Sequence, residues 1–215
     1  MAIAFEAQRA AVIKACLTLA DQGYLAGTGG NLALRVDDTH FAVTPSAADY
    51  YSLRPQDIAV LRLDTLAQVH GDLAPSVESG LHATLLRTWP RLDASVHTHQ
   101  PIASAVALLN RSLPLVEPAD VAQLGPCVQI VGYAPSGTGM LVSALRRALR
   151  NECQAYLLRN HGLVCVAADL AAAVPLMGRI EAAAAAFLRK QADRLPLDHP
   201  LRELALEACE PSHFQ

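Results

Sequence analysis

The chain has 215 residues and a formal net charge of −3 at pH 7; its Lys and Arg residues are scattered rather than grouped in stripes, which argues against nucleic acid as a partner. A composition of 52% hydrophobic and 17% charged residues, with a mean hydropathy of +0.24, excludes a disordered chain and predicts one compact domain over 1–215 that makes subunit contacts, with 193–215 as a C-terminal tail or helix. Five cysteines (Cys16, Cys127, Cys153, Cys165 and Cys209) form no C-x-x-C pair, which argues against a disulfide framework or a thiolate zinc site and points to the reducing cytoplasm.

The first twenty residues carry Glu6, Arg9 and Lys14 inside an apolar pattern, so they read as an amphipathic helix over 3–22 rather than a signal peptide, closed by Gly23. Small residues through Gly30 lead into an alternating strand at 31–36. Asp37 and Asp38 turn the chain into a second strand at 41–44, Pro45 starts a turn or short helix, and a third strand runs over 58–63. The front half is thus predicted to be an antiparallel sheet. A helix follows at 78–88 with Ser76 as its candidate cap, then a strand at 94–97, and a helix from Pro101 to about 109 with proline at its first position. Further helices are predicted at 138–150 and 169–190, separated by strands at 155–158 and 163–166, in a mixed α/β pattern. Pro175, Arg179 and Glu181 interrupt the alanine-rich stretch at 170–188, which is read as falling short of a membrane span.

His97 and His99 sit one residue apart at the end of a strand. Alternate residues of a strand share a face, so both imidazoles can reach one ion; the spacing equally suits two histidines satisfied in the core or at the surface. His161, between two apolar runs and followed by Gly162, offers a third imidazole at a strand junction, or a hydrogen-bonded turn. Three neutral imidazoles with one open position make the catalytic kind of zinc site. His82, on the buried side of a helix, reads as a core residue. Glu78 falls in the first turn of a helix, where a carboxylate is favoured by the dipole; facing the histidines, it could ligate an ion and act as a base. The stretch from Gly27 to Asn31 is not G-x-G-x-x-G and leads into a strand, so the dinucleotide and Walker readings fail, although its open amides suit an anion. Thr44-Pro45-Ser46 and Pro75-Ser76 add hydroxyls and amides at turns.

Taken in order, Thr28-Gly29-Gly30-Asn31, Thr44-Pro45-Ser46, Pro75-Ser76-Val77-Glu78 with Leu81-His82, His97-Thr98-His99 and Asn160-His161-Gly162 resemble the motifs of the class II aldolase/adducin family, over about residues 5–190. The resemblance implies an α/β fold, a three-layer α/β/α domain around a largely antiparallel central sheet, in a homotetramer with sites at subunit interfaces. It implies that His97, His99 and His161 bind Zn2+ (or Mn2+, Co2+, Fe2+ or Ni2+), with Glu78 as acidic ligand and base. Thr28, Gly30, Asn31, Ser46 and Ser76 correspond to the pocket for an anionic, phosphorylated small-molecule substrate. The chemistry implied is carbon–carbon cleavage of a hydroxylated keto compound through a metal-stabilised enediolate. No lysine falls within the motifs, which disfavours an imine route.

The sequence also departs from the family pattern. Ala47 stands where glycine often follows Thr-Pro-Ser, Val77 replaces a second serine, and no tyrosine lies around 115–120. Asp120 resembles instead the acid of the related sugar-phosphate 4-epimerase. The chain is therefore expected to be a cytoplasmic metal-dependent lyase of the aldolase or decarboxylase type, with a 4-epimerase or a non-catalytic adducin-like module as alternatives.

Overall fold

The computed structural model describes residues 3–25, 27, 29–207 and 209. The first helix, α1 (Glu6–Asp21), buries Val12, Ala15, Cys16 and Leu19 along one stripe and is followed by Gly23 at φ 73°, a left-handed conformation that glycine adopts at little cost. Strands β1 (Asn31–Arg35), β2 (His40–Val43), β3 (Ala59–Arg62) and β4 (Gln68–His70) form an antiparallel meander. On the other edge of β1 come β5 (Ala94–Thr98), β9 (Gly162–Ala167), β8 (Ala155–Leu158), β7 (Cys127–Val131) and β6 (Leu113–Pro114), giving the order β4-β3-β2-β1-β5-β9-β8-β7-β6. Every pairing is antiparallel except β7 with β8.

Period-two alternation divides the strand residues between two cores. Leu32, Val96, Leu163 and Cys165 join the core with α1, α3 (Pro101–Leu108) and α6 (Leu170–Ala192). Ala33, Phe41, Leu61, Val164 and Val166 face the opposite side, where α2 (Ser79–Thr88) and α5 (Gly139–Ala148) pack. The three layers are those expected. Two shorter helices, α4 (Pro118–Leu124) and α7 (Pro200–Glu207), complete the set, with α7 against α6.

Three features differ from the sequence reading. The strand β4 and the β6–α4–β7 segment were not expected, being short or without alternating apolar residues. Ser76 does not cap α2: the cap position is Glu78, at φ −98° and ψ 11°, in the bridge region of backbone space. Helix α6, expected at 169–190, runs 23 residues through Pro175 and, where the stretch was read as falling short of a membrane span, is long and apolar enough by length and composition alone to cross one. Here it packs in the core through Leu170, Ala173, Leu176, Met177, Ile180 and Ala184, and its Glu181 accepts the amides of Ile102 and Ala103 at the start of α3.

Candidate active site

Asn31 lies opposite His97 in the β1–β5 register and Ala33 opposite Ser95, so Asn31, Ser95 and His97 all point to the face covered by α2. His99 follows the end of β5, tied by its amide to the Tyr24 carbonyl at 3.0 Å. His161 sits in the turn between β8 and β9, where Asn160 takes φ 57°, a conformation asparagine tolerates better than most residues. Gly162 closes the approach. A Cβ there would lie 2.4 Å from the Thr98 carbonyl and 2.9 and 3.2 Å from carbons of the His99 and His97 rings.

The three imidazoles converge. His97 Nε2 lies 3.0 Å from His99 Nε2 and 3.2 Å from His161 Nε2, and the potential ligand atoms all fall within 4.8 Å of one another. His97 Nδ1 donates to the Leu163 carbonyl at 2.7 Å, which assigns the ring as its Nδ1–H tautomer and leaves Nε2 a bare acceptor. Glu78 adds a carboxylate, with Oε2 3.3 Å from His97 Nε2 and Oε1 3.3 Å from His161 Nε2. His161 Nδ1 is buried without a hydrogen-bond partner.

Burial pushes the His97 ring down to about 3, against the pull of Glu78, and burial likewise lowers His99. For Glu78, burial alone would raise the carboxyl; attraction to His97, the hydrogen bond from Asn31, His161 and the hydrogen bond from Ser136 outweigh it and hold the group below the usual range. The result is a carboxylate kept ionised beside two rings, His97 and His99, that burial biases toward the neutral form. Such a set of acceptors has the chemistry of a divalent-cation site.

Two donors hold the carboxylate: Asn31 Nδ2 reaches Oε2 at 2.9 Å and Ser136 Oγ reaches Oε1 at 2.8 Å. Ser136 escaped the sequence reading. It lies 58 residues from Glu78 in a turn with no distinguishing pattern, the only hint being the run of small residues before α5. His82 is the buried residue expected, and its fully buried ring bonds Asn31 Oδ1 at 2.6 Å and Ser95 Oγ at 2.7 Å, partners that the sequence did not show.

The cavity above the histidines is about 210 Å³ and is lined by Gly29, Gly30, Asn31, Pro45, Ser46, Ala47, Ser76, Val77, Glu78, His99, Ser136 and His161. Ser46 and Ser76 meet because Pro45 and Pro75 form a bridge, with Ser46 N bonded to Ala74 O and Ser76 N to Thr44 O, both at 3.0 Å. Gly30 takes φ 84°, and a Cβ there would lie 2.9 Å from the His97 carbonyl. None of these lining residues is Lys or Arg, so an anion would be held by hydroxyls and amides. Thr28 lies outside the described residues. The structure does not bring Asp120 to the histidines: its carboxylate pairs with Arg179 in a separate cleft of about 600 Å³ between α4 and α6.

Fold and histidine cluster together define the class of α/β protein to which aldolases of class II belong. The structure superposes on L-fuculose 1-phosphate aldolase with a TM-score of 0.82 at 28% identity, covering 95% of this chain and 97% of that one. The chain belongs to the class II aldolase and adducin family: residues 10–188 match the Class II Aldolase and Adducin N-terminal domain. It is 34% identical over 160 residues to 5-deoxy-D-ribulose 1-phosphate aldolase of Bacillus thuringiensis serovar kurstaki, covering 74% of each chain. It is 27% identical over 194 residues to 3-oxo-tetronate 4-phosphate decarboxylase of Haemophilus influenzae, covering 88% of this chain and 90% of that one.

Proposed function

We propose that this chain is a zinc-dependent lyase of the aldolase type that splits a small phosphorylated hydroxyketone, of the ketose 1-phosphate kind, between the carbons alpha and beta to its carbonyl. The observation that carries the reading is the convergence of three imidazoles and one carboxylate beside a polar cavity. His97, His99 and His161 hold the metal, with Glu78 as the fourth group; Mn2+, Co2+, Fe2+ or Ni2+ would fit the same donors. A divalent ion there supplies Lewis acidity, drawing charge from a carbonyl oxygen.

The remaining work falls to the chain. Ser46, Ser76, the Gly30 amide, Asn31 and Thr28 hold the anionic end, which fixes the hydroxyketone end over the histidines. Glu78, kept ionised, accepts a proton from the substrate hydroxyl as the carbon–carbon bond breaks; the electron pair stays on the carbon beside the carbonyl and a proton is returned there. No lysine lines the cavity, so nothing there forms an imine. The chain is read as cytoplasmic, in keeping with the absence of disulfides among the described cysteines, and as a homotetramer, in keeping with exposed apolar side chains such as Val116 and Leu108.

The test is an assay of zinc-loaded protein on 5-deoxyribulose 1-phosphate and fuculose 1-phosphate for dihydroxyacetone phosphate, with CO2 release from 3-oxo-tetronate 4-phosphate followed in parallel. Release of dihydroxyacetone phosphate is expected. CO2 release alone would move the reading to a decarboxylase, which the Haemophilus relative supports, and inactivity on all three would remove it.

A further inference from the structure

An ionised carboxylate can only accept hydrogen bonds, and this fixes a chain of three groups behind Glu78. Because Glu78 Oε2 lies 2.9 Å from the Asn31 amide, Asn31 must turn its NH2 toward Glu78. Its Oδ1 then faces His82 Nε2 at 2.6 Å, so Nε2 must carry the ring proton. His82 Nδ1 is left bare, and Ser95 Oγ, 2.7 Å away and fully buried, must donate to it. In the other tautomer Asn31 would aim its carbonyl at the carboxylate, placing two acceptors in contact at buried positions, where an unmade hydrogen bond is costly.

We propose that His82, held as its Nε2–H tautomer by Ser95, is a positioning residue that orients Asn31 and through it the Glu78 carboxylate toward the histidine cluster. The inference rests on the metal-binding role proposed for that cluster. Sheet register sets it up: Ser95 and His97 share a face of β5, Asn31 pairs with His97, and α2 carries both the Glu78 cap and His82 one turn later. One helix start and two neighbouring strands thus contribute all the members, and no water or ligand is needed to complete the chain.

The test uses zinc alone as probe. Zinc affinity of the whole protein is measured by competition with a chelator for the unaltered chain, His82→Leu, Glu78→Ala and the double variant. His82→Leu is expected to weaken zinc about 10- to 100-fold, as supporting partners of ligands do, and to add nothing further in the Glu78→Ala background. His82→Gln, whose amide nitrogen reaches the place of Nε2, should restore most of the affinity. Additive losses, or a Gln variant as weak as Leu, would overturn the role and leave the metal reading standing; failure of the unaltered protein to bind zinc would overturn that reading itself. Should His82→Leu not fold, the ring nitrogen resonances of His82 in the unaltered, metal-free protein decide: a proton on Nε2 is required, and one on Nδ1 contradicts the proposal.

Discussion

Two clefts that hold carboxylates differ in kind. Beside α6, in the larger cleft of about 600 Å³, Asp120 is met by Arg179, whose Nη1 also donates to Gln123 Oε1 at 2.9 Å. In the smaller, of about 210 Å³, Glu78 is met by two hydrogen-bond donors and by the rings of His97 and His161, with no Lys or Arg among its lining residues. The first is a completed ion pair, whereas the second gathers imidazole nitrogens and a carboxylate with no cationic Lys or Arg among its lining residues. The proposed site is therefore singled out by convergence of acceptors and not by cavity size.

The largest effect that would sharpen this contrast is loss of a histidine. His97→Ala or His161→Ala is expected to abolish zinc binding and turnover together, a greater loss than the roughly 100-fold that supporting residues cause, as read by metal analysis and a cleavage assay on one preparation. Retained activity in either variant would break it. Next comes Glu78→Gln, expected to lower turnover about 10²- to 10⁴-fold, the range associated with a general base, while zinc is partly kept. Complete zinc loss in that variant would make Glu78 chiefly a ligand.

Acid should act on the histidine side. In the folded, metal-free chain His97 is pushed down to about 3 and His82 to about 4 by burial, whereas both take up protons near 6.5 once unfolded. Between those limits the unfolded state binds more protons, so stability falls as pH falls, by about 1.4 kcal/mol per pH unit for each ring. The lowered Glu78 carboxyl adds loss of the same sign below its ordinary range. Melts of the chelator-treated protein from pH 7.5 to 5 should move steadily downward; a flat series would contradict the burial of these rings.

On the other side, Asp120→Asn is expected to leave zinc affinity unchanged and alter turnover only a few-fold, by about 1 kcal/mol or less. Complete loss of turnover with zinc intact would favour the 4-epimerase reading, in which Asp120 serves a site on another copy. The smallest effect is predicted at Ala47, on the rim of the histidine cavity, which holds φ 51°. Ala47→Gly should raise stability by about 1 kcal/mol in thermal or denaturant unfolding, since a side chain is strained in that conformation.

The sequence revealed much of this site because its main members depend on local rules. The one-residue spacing of His97 and His99, the Asn160-His161-Gly162 turn and the proline-serine turns are read from strand alternation and turn chemistry. Ala47 was noticed as a departure from a glycine position, and its positive φ supplies the reason. What stayed hidden depends on long-range contact. The bond from Ser136 to Glu78 spans 58 residues and the bond from His82 to Asn31 spans 51, and neither leaves a pattern. In the fold, Gln68–His70 escaped because an exposed edge strand has no apolar face to alternate, and Leu113–Pro114 because two residues carry no period.

The most direct test of the histidine cluster is the divalent-metal content of the purified protein, measured before and after chelator alongside cleavage activity. About one ion per chain is expected, lost together with activity and regained with zinc, and in His161→Ala never acquired. Protein that carries no stoichiometric ion, and behaves identically in chelator, would contradict the account and favour a non-catalytic member of the family.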